Sequence, residues 1–412
     1  MTEVIPGTFS SSADFTSPFQ NNFSIQDSQP PSQIRSVQLY PGENRAGMPA
    51  IVLGGNNTLT LRFDQLGTRP DMFRVRFTHH NSDWSVSNLI PGFYIRGQES
   101  DVIVENEPSN VQNPAYSHFE YTFPNRNIRF LVSGNYMIHI HDYNSDERLF
   151  SLPFLLHEER GAISTEIESL YPTQGPSLLM HQVFSEYHYP NFVNMPNIDL
   201  EVFFVQNQFL GRKKLADQTD MSRAGVFRTH ITRENAFPGR YEFRQLHINR
   251  LGTDTRNVLE FRPETIPPRV ILDRDIVNLN VQPRSERQNR FGSPRNDTEA
   301  RYASVHFELE VPYRELDTEA DIFLVGPFNN WNISERNRMQ FSDEIGRFTG
   351  SALVKEGIYD YKYVVLEDGI IDDLRLDASF ADSRQEYAVL VYYRDPQEQF
   401  DRLLHYYSFH TQ

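Results

Sequence analysis

The feature that most constrains this chain is the recurrence of apolar residues at every second position, in short runs spread over most of its length. Leu59, Leu61 and Phe63 form one run, followed by Phe73, Val75 and Phe77, then Phe119, Tyr121 and Phe123, then Tyr136, Ile138 and Ile140. Successive side chains of a strand point to opposite faces, so each run predicts a strand with one buried face. Turn chemistry separates the runs, as in GGNN (54–57), GTRPD (67–71) and SGN (133–135). No apolar repeat of helical period is long enough to build a helical layer, and the one short helix expected is PQEQFDRLL (396–404). A supply of 31 Phe and 20 Tyr against 2 Trp suits pleated, half-buried surfaces. The expected fold class is therefore all-β, with immunoglobulin-like or early-set-like β-sandwiches in series.

At 412 residues the chain exceeds what one core organises. Residues 1–33 are rich in Ser, Gln, Asn and Pro, with Phe9, Phe15, Phe19 and Phe23 at no regular period, and read as a disordered or surface-laid arm. An N-terminal sandwich is expected over 34–160. A middle sandwich over 161–265 carries VFSEYHY (183–189), IDLEVFFVQN (198–207), VFRTHI (226–231) and RYEFRQLHI (240–248). The third sandwich, 266–412, starts at the breaker IPP (266–268) and a strand RVILDRDIVNLNV (269–281). A polar insertion (283–301) reads as a mobile loop before ASVHFELEVP (303–312).

A formal net charge of −16 and the lack of any dense Lys/Arg run argue against a nucleic-acid partner. The absence of cysteine removes disulfides, thiolate nucleophiles and Cys-based metal sites. No run approaches the roughly 18 apolar residues of a membrane-spanning helix, so direct membrane insertion is not expected. The opening MTEVIPGTFSSS lacks the basic start and apolar stretch of a secretory signal, which leaves either a cytoplasmic protein or a precursor that begins upstream of Met1.

The phosphate-cradling loops, the GxSxG elbow, the HExxH pair and the EF-hand loop are all missing; HEER (157–160) lacks the second histidine. His139 and His141 alternate on one strand beside Asp142 and share a face on which zinc or copper ligation is conceivable with a third ligand. Tyr136, Ile138 and Ile140 mark the other face as the core side, so both histidines are expected on an exposed face with a solvated or interface role. His79 and His80 point to opposite faces and form no common site. With 55 acidic residues, no carboxylate pair stands out for glycoside hydrolysis. No catalytic residue, metal or cofactor is expected.

DIFLVGPFNNWN (321–332), Met339, DEIGRF (343–348) and KEGIYDYKYVVLEDG (355–369) resemble the early-set sandwich of glycogen-binding and branching-enzyme N-terminal modules. The resemblance implies a sugar stacked on Trp331 with Lys362 reaching a hydroxyl, a flat indole and a donor making a platform. Ile370 and Ile371 stand where sugar-binding members usually supply a second aromatic, and the competing expectation is that Trp331 and Lys362 only pack and cap the sandwich.

Over the whole chain a longer series of segments runs in order: SVQLYP (36–41), LTLRFDQL (59–66), FRVRFTHHNSDW (73–84), YSHFEYTFPN (116–125), SGNYMIHI (133–140), VFFVQNQ (202–208), FPGRYEFR (237–244), VHFELEVP (305–312), VGPFNNW (325–331), EGIYDYKYV (356–364) and LVYYRDPQEQFDRLL (390–404). From about residue 34 to the C-terminus this resembles the plug protein family of the type IX secretion system. The resemblance implies a non-enzymatic periplasmic protein that associates with the outer-membrane β-barrel translocon and occupies the periplasmic end of its channel. It further implies a monomer within a hetero-complex, with Tyr and Phe as interface anchors.

Overall fold

The computed structural model describes residues 23–25, 30–170, 180–239, 243–252, 255–277, 289–291, 297–311, 320–376, 385–394 and 400–411. Their strands build three β-sandwiches, as the alternating runs predict.

In the first sandwich a four-stranded sheet orders Ile34–Pro41, Leu59–Leu66, Tyr116–Phe123 and Asn106–Pro108. It faces a five-stranded sheet of Ala50–Val52, Arg148–His157, Gly134–Asp142, Phe73–His80 and Ser100–Ile103. Register places Ile138 opposite Phe77 and Ile140 opposite Val75, so the alternating residues of neighbouring strands bury together. Aromatic rings fill the space between the sheets. Phe63 stacks on Phe119 at 5.0 Å between centroids, and Phe73 meets both rings edge-on.

The second sandwich departs from a strictly serial chain path. One sheet holds Ala162–Leu170, Met180–His188, Val226–His230 and Gln218–Asp220. The facing sheet orders Lys214–Leu215, Leu200–Gln206, Glu386–Arg394 and Asp401–His410, so the C-terminal hairpin belongs to this sandwich and not to the third. The reason lies in Leu200–Gln206. Val202 and Phe204 enter the sandwich core, while Phe203 and Val205 face outward into a second apolar cluster. A strand buried on both faces needs a neighbour on each edge, and the hairpin supplies the missing one. Because Asp401–Leu404 open a strand, the helix expected over 396–404 does not form there; 395–399 lie outside the described residues.

In the third sandwich the long strand Gly357–Glu367 organises one sheet, pairing with Asp321–Val325, Ile370–Asp372, Asn289–Phe291 and Arg244–His247. Arg244–His247, expected in the middle sandwich, thus joins the third, and part of the predicted loop 283–301 is a strand. The opposite sheet runs Val258–Arg262, Arg269–Leu272, Tyr302–Glu310, Arg347–Lys355 and Gln340–Ser342. In YDYKY, Tyr359, Tyr361 and Tyr363 face the core, and the hydroxyls of Tyr361 and Tyr363 each donate to the Asp275 carboxylate at 2.7 Å. A buried acid is tolerable when its lone pairs are taken, here also by Arg244 at 3.2 Å.

Candidate interaction surface

The two residues expected to hold a sugar lie in a seam between sandwiches. Alternation along Gly357–Glu367 turns Lys362 and Val364 away from the tyrosine core, onto a face covered by Phe243. Lys362 has no exposed surface. Trp331 follows a short 3-10 turn, Pro327–Asn329, and both Asn330 and Trp331 adopt the left-handed backbone region. That turn aims the indole inward, where it is 7% exposed. Phe209 of the middle sandwich and Phe243 meet it edge-on at 5.2 and 5.4 Å, and Phe23 lies 5.8 Å away. At 7% exposure among these rings, the indole offers little surface for a sugar to stack on.

His139 is also covered. It is 6% exposed, because the outer face of its sheet, with Met137 and Leu155, packs on Phe203, Val205, Leu390 and Tyr392 of the second sandwich. The expectation of an exposed face fails here for the reason that moved the C-terminal hairpin. Both His139 ring nitrogens are engaged, Nδ1 with Ser151 Oγ and Nε2 with Thr78 Oγ1, each at 2.7 Å. Burial pushes its pKa down to about 3. His141 bonds the Asp146 carbonyl through Nδ1, and among the described residues no group of three His, Asp or Glu converges on a point. His79 and His80 diverge as expected, His79 Nε2 toward the Ser133 carbonyl and His80 Nδ1 toward that of Trp84.

A third seam is polar and escaped the sequence reading. Asp64 of the first sandwich is fully buried and accepts from Lys355 Nζ and Tyr302 Oη of the third, each at 2.6 Å; His118 Nδ1 lies at the same distance. Around it Arg62 and Arg45 pair with Asp297. These residues are 54 to 291 positions apart, so no local pattern announces them.

With the inner faces spent on seams, large apolar side chains remain exposed on several surface segments among the described residues, including Val104, Ile266 and Ile370, and two loops each carry three of them; Ser82 Oγ of the first loop donates at 2.8 Å to the carboxylate of Glu201, in the strand that follows the second. The first loop exposes Val86, Ile90 and Phe93, the last at 64%; the second exposes Phe192, Met195 and Ile198, the last at 68%. A separate cleft of about 440 Å³ is lined in part by Leu131, Ser133, Glu158, Arg160 and Arg402. Arg402 pairs with Glu158 at 2.8 Å and lies over the Phe192 ring, tying the cleft to the second loop. Large exposed apolar side chains bordered by polar groups are the make-up of a protein-binding face. Among the described residues no helix is long and apolar enough to cross a membrane.

A hypothetical protein from Parabacteroides merdae, known from its crystal structure, shares this fold over 94% of this chain and 99% of its own, with a TM-score of 0.82 and 24% identity. A second structure, BspA_C_WT, aligns over 91% of this chain and 99% of its own at 8% identity, but its TM-score of 0.14 carries no likeness of fold. No curated protein matches the chain. The sequence of the first sandwich is more informative: residues 34–158 match the family model described as the type 9 secretion system plug protein 1st domain.

Proposed function

We propose that the protein is a non-enzymatic plug that binds the outer-membrane β-barrel translocon of the type IX secretion system and seals the periplasmic end of its channel. The observation that carries this reading is the match of residues 34–158 to the type 9 secretion system plug protein 1st domain. Three sandwiches joined through two apolar seams and one ionic seam are suited to a stopper, which must not deform in a wide opening. The loops bearing Ile90, Phe93, Phe192 and Ile198 are the contact face in this proposal, and the periplasm is where the protein works.

The test is recovery of the barrel on purified protein, together with the leak of small molecules through the barrel. Phe93→Glu with Ile198→Glu should lose most of the barrel while leaving thermal stability unchanged, since both side chains are exposed. A folded wild type that recovers no barrel and leaves the leak unchanged would falsify the plug. A carbohydrate-binding role through Trp331 and Lys362 is the alternative, favoured only by the early-set motif. Retardation on an amylose or glycogen gel, lost in Trp331→Ala, would promote it.

A further inference from the structure

Residues 23–25 sit across the place where all three sandwiches meet, and their two apolar side chains enter different clusters. Phe23 joins Phe209, Phe243 and Trp331 in the seam of the second and third sandwiches. Its ring meets Phe209 edge-on at 4.8 Å, and the Arg212 guanidinium lies 4.0 Å above the ring centroid. Arg212 is held there by Asp373 of the third sandwich at 2.6 Å. Ile25 enters the seam of the first and second sandwiches beside Met48, Leu155 and Leu210. Ser24 Oγ, between them, donates to Asn332 Oδ1 at 3.2 Å.

Three properties mark this as recognition and not as ordinary core. Both Phe23 and Ile25 are 1% exposed, although residues 23–25, the described part of the segment, have no strand pairing. The receiving walls come from all three sandwiches, mostly from turns and coil that flank their strands, such as Phe209, Phe243, Trp331 and Met48. A cleft of about 170 Å³, lined by residues 23–25 themselves with Val37, Leu39 and Pro327 among others, runs alongside. A segment that anchors by side chains at i and i+2, with no ladder to break, can leave without unfolding the sheets.

We propose that this groove is a recognition site for a Phe-x-Ile peptide, occupied in cis by Phe23 and Ile25, and that it takes the same peptide in trans when its own segment is absent. In this arrangement the segment is a strap whose release uncovers an aromatic-lined groove at the junction of the three sandwiches. While it is tethered, its high effective concentration keeps competitors out.

The test uses a fluorescently labelled peptide of residues 20–29 (QNNFSIQDSQ) and the chain lacking residues 1–29. Saturable one-to-one binding to the folded truncated chain is expected, with a shift in tryptophan emission because Trp331 lines the site. Binding should weaken by at least about thirtyfold for the peptide carrying Phe23→Ala, the size expected of a buried anchor. The intact chain should take up none. A folded truncated chain that ignores the peptide, an intact chain that binds it equally well, or a Phe23→Ala peptide of undiminished affinity would each overturn the proposal. If truncation prevents folding, the full chain with Phe23→Ala and Ile25→Ala replaces it. That variant should take up the peptide in trans, and a folded double variant that does not would refute the site.

Discussion

Replacing Lys355 with Met should open the ionic seam between the first and third sandwiches. Lys355 Nζ and the Asp64 carboxylate are 2.6 Å apart, with their side chains 1% and 0% exposed, so screening by water is minimal. At an effective dielectric of about 20, Coulomb's law gives on the order of 6 kcal/mol for unit charges at that separation. Methionine keeps most of the volume and leaves the carboxylate with the Tyr302 hydroxyl and His118 Nδ1, each at 2.6 Å, which recover part of the loss. The net cost expected is about 3–5 kcal/mol, the range for a buried charge stripped of its partner. Urea unfolding followed by far-UV circular dichroism measures it. Asp64→Asn combined with Lys355→Met should cost clearly less than the sum of the single changes, because the neutral amide no longer needs the cation. A loss below about 1 kcal/mol, or strict additivity, would show that the carboxylate is solvated and that the seam does not depend on this pair.

Acid should loosen the contact between the first sandwich and the C-terminal hairpin. Burial lowers His79 to about 4, His139 to about 3 and His157 to about 4, while His79 and His157 lie against Phe400 and Tyr406. Because the folded values lie below the unfolded value of about 6.5, stability is full above that pH and falls as pH drops toward 4, by up to about 2 kcal/mol per histidine at pH 5. Urea midpoints at pH 7 and pH 5 should differ accordingly, and His157→Gln should flatten the slope. Lys213 gives a dependence of the same sign in a higher pH window. Its buried Nζ sits 3.9 Å from the Phe203 ring centroid with no hydrogen-bond partner among the described residues, and burial lowers its pKa to about 7. Since the unfolded chain binds that proton up to about pH 10, stability should rise between pH 7 and 9.5, and Lys213→Met should remove the rise and gain on the order of 2 kcal/mol at pH 7. Trp331→Ala should cost about 3–5 kcal/mol by emptying the seam, measured as a lower urea midpoint; a neutral outcome would mean that the indole does not pack there.

Alternation at period two was enough to establish the all-β class, because a strand with one buried face has to write its core residues at every second position. The likeness of the first sandwich to the type 9 plug family was legible for a related reason, since residues 34–158 form one unit whose sheets are built from that stretch alone. Where a strand is buried on both faces the alternation disappears. VFFV in Leu200–Gln206 and VLVYY in Glu386–Arg394 read as apolar runs without direction, so their pairing across 180-odd positions was invisible, as were the place of the C-terminal hairpin and the cover over His139. Trp331 and Lys362 illustrate the same limit: the motif located them on an early-set sandwich, but whether the indole meets solvent depended on Phe209 and Phe243 arriving from elsewhere. The Asp64–Lys355 pair and the seating of Phe23 and Ile25 were likewise decided only by tertiary structure, because a buried charge or a lone aromatic in a polar segment acquires its partner through folding and not through sequence neighbourhood.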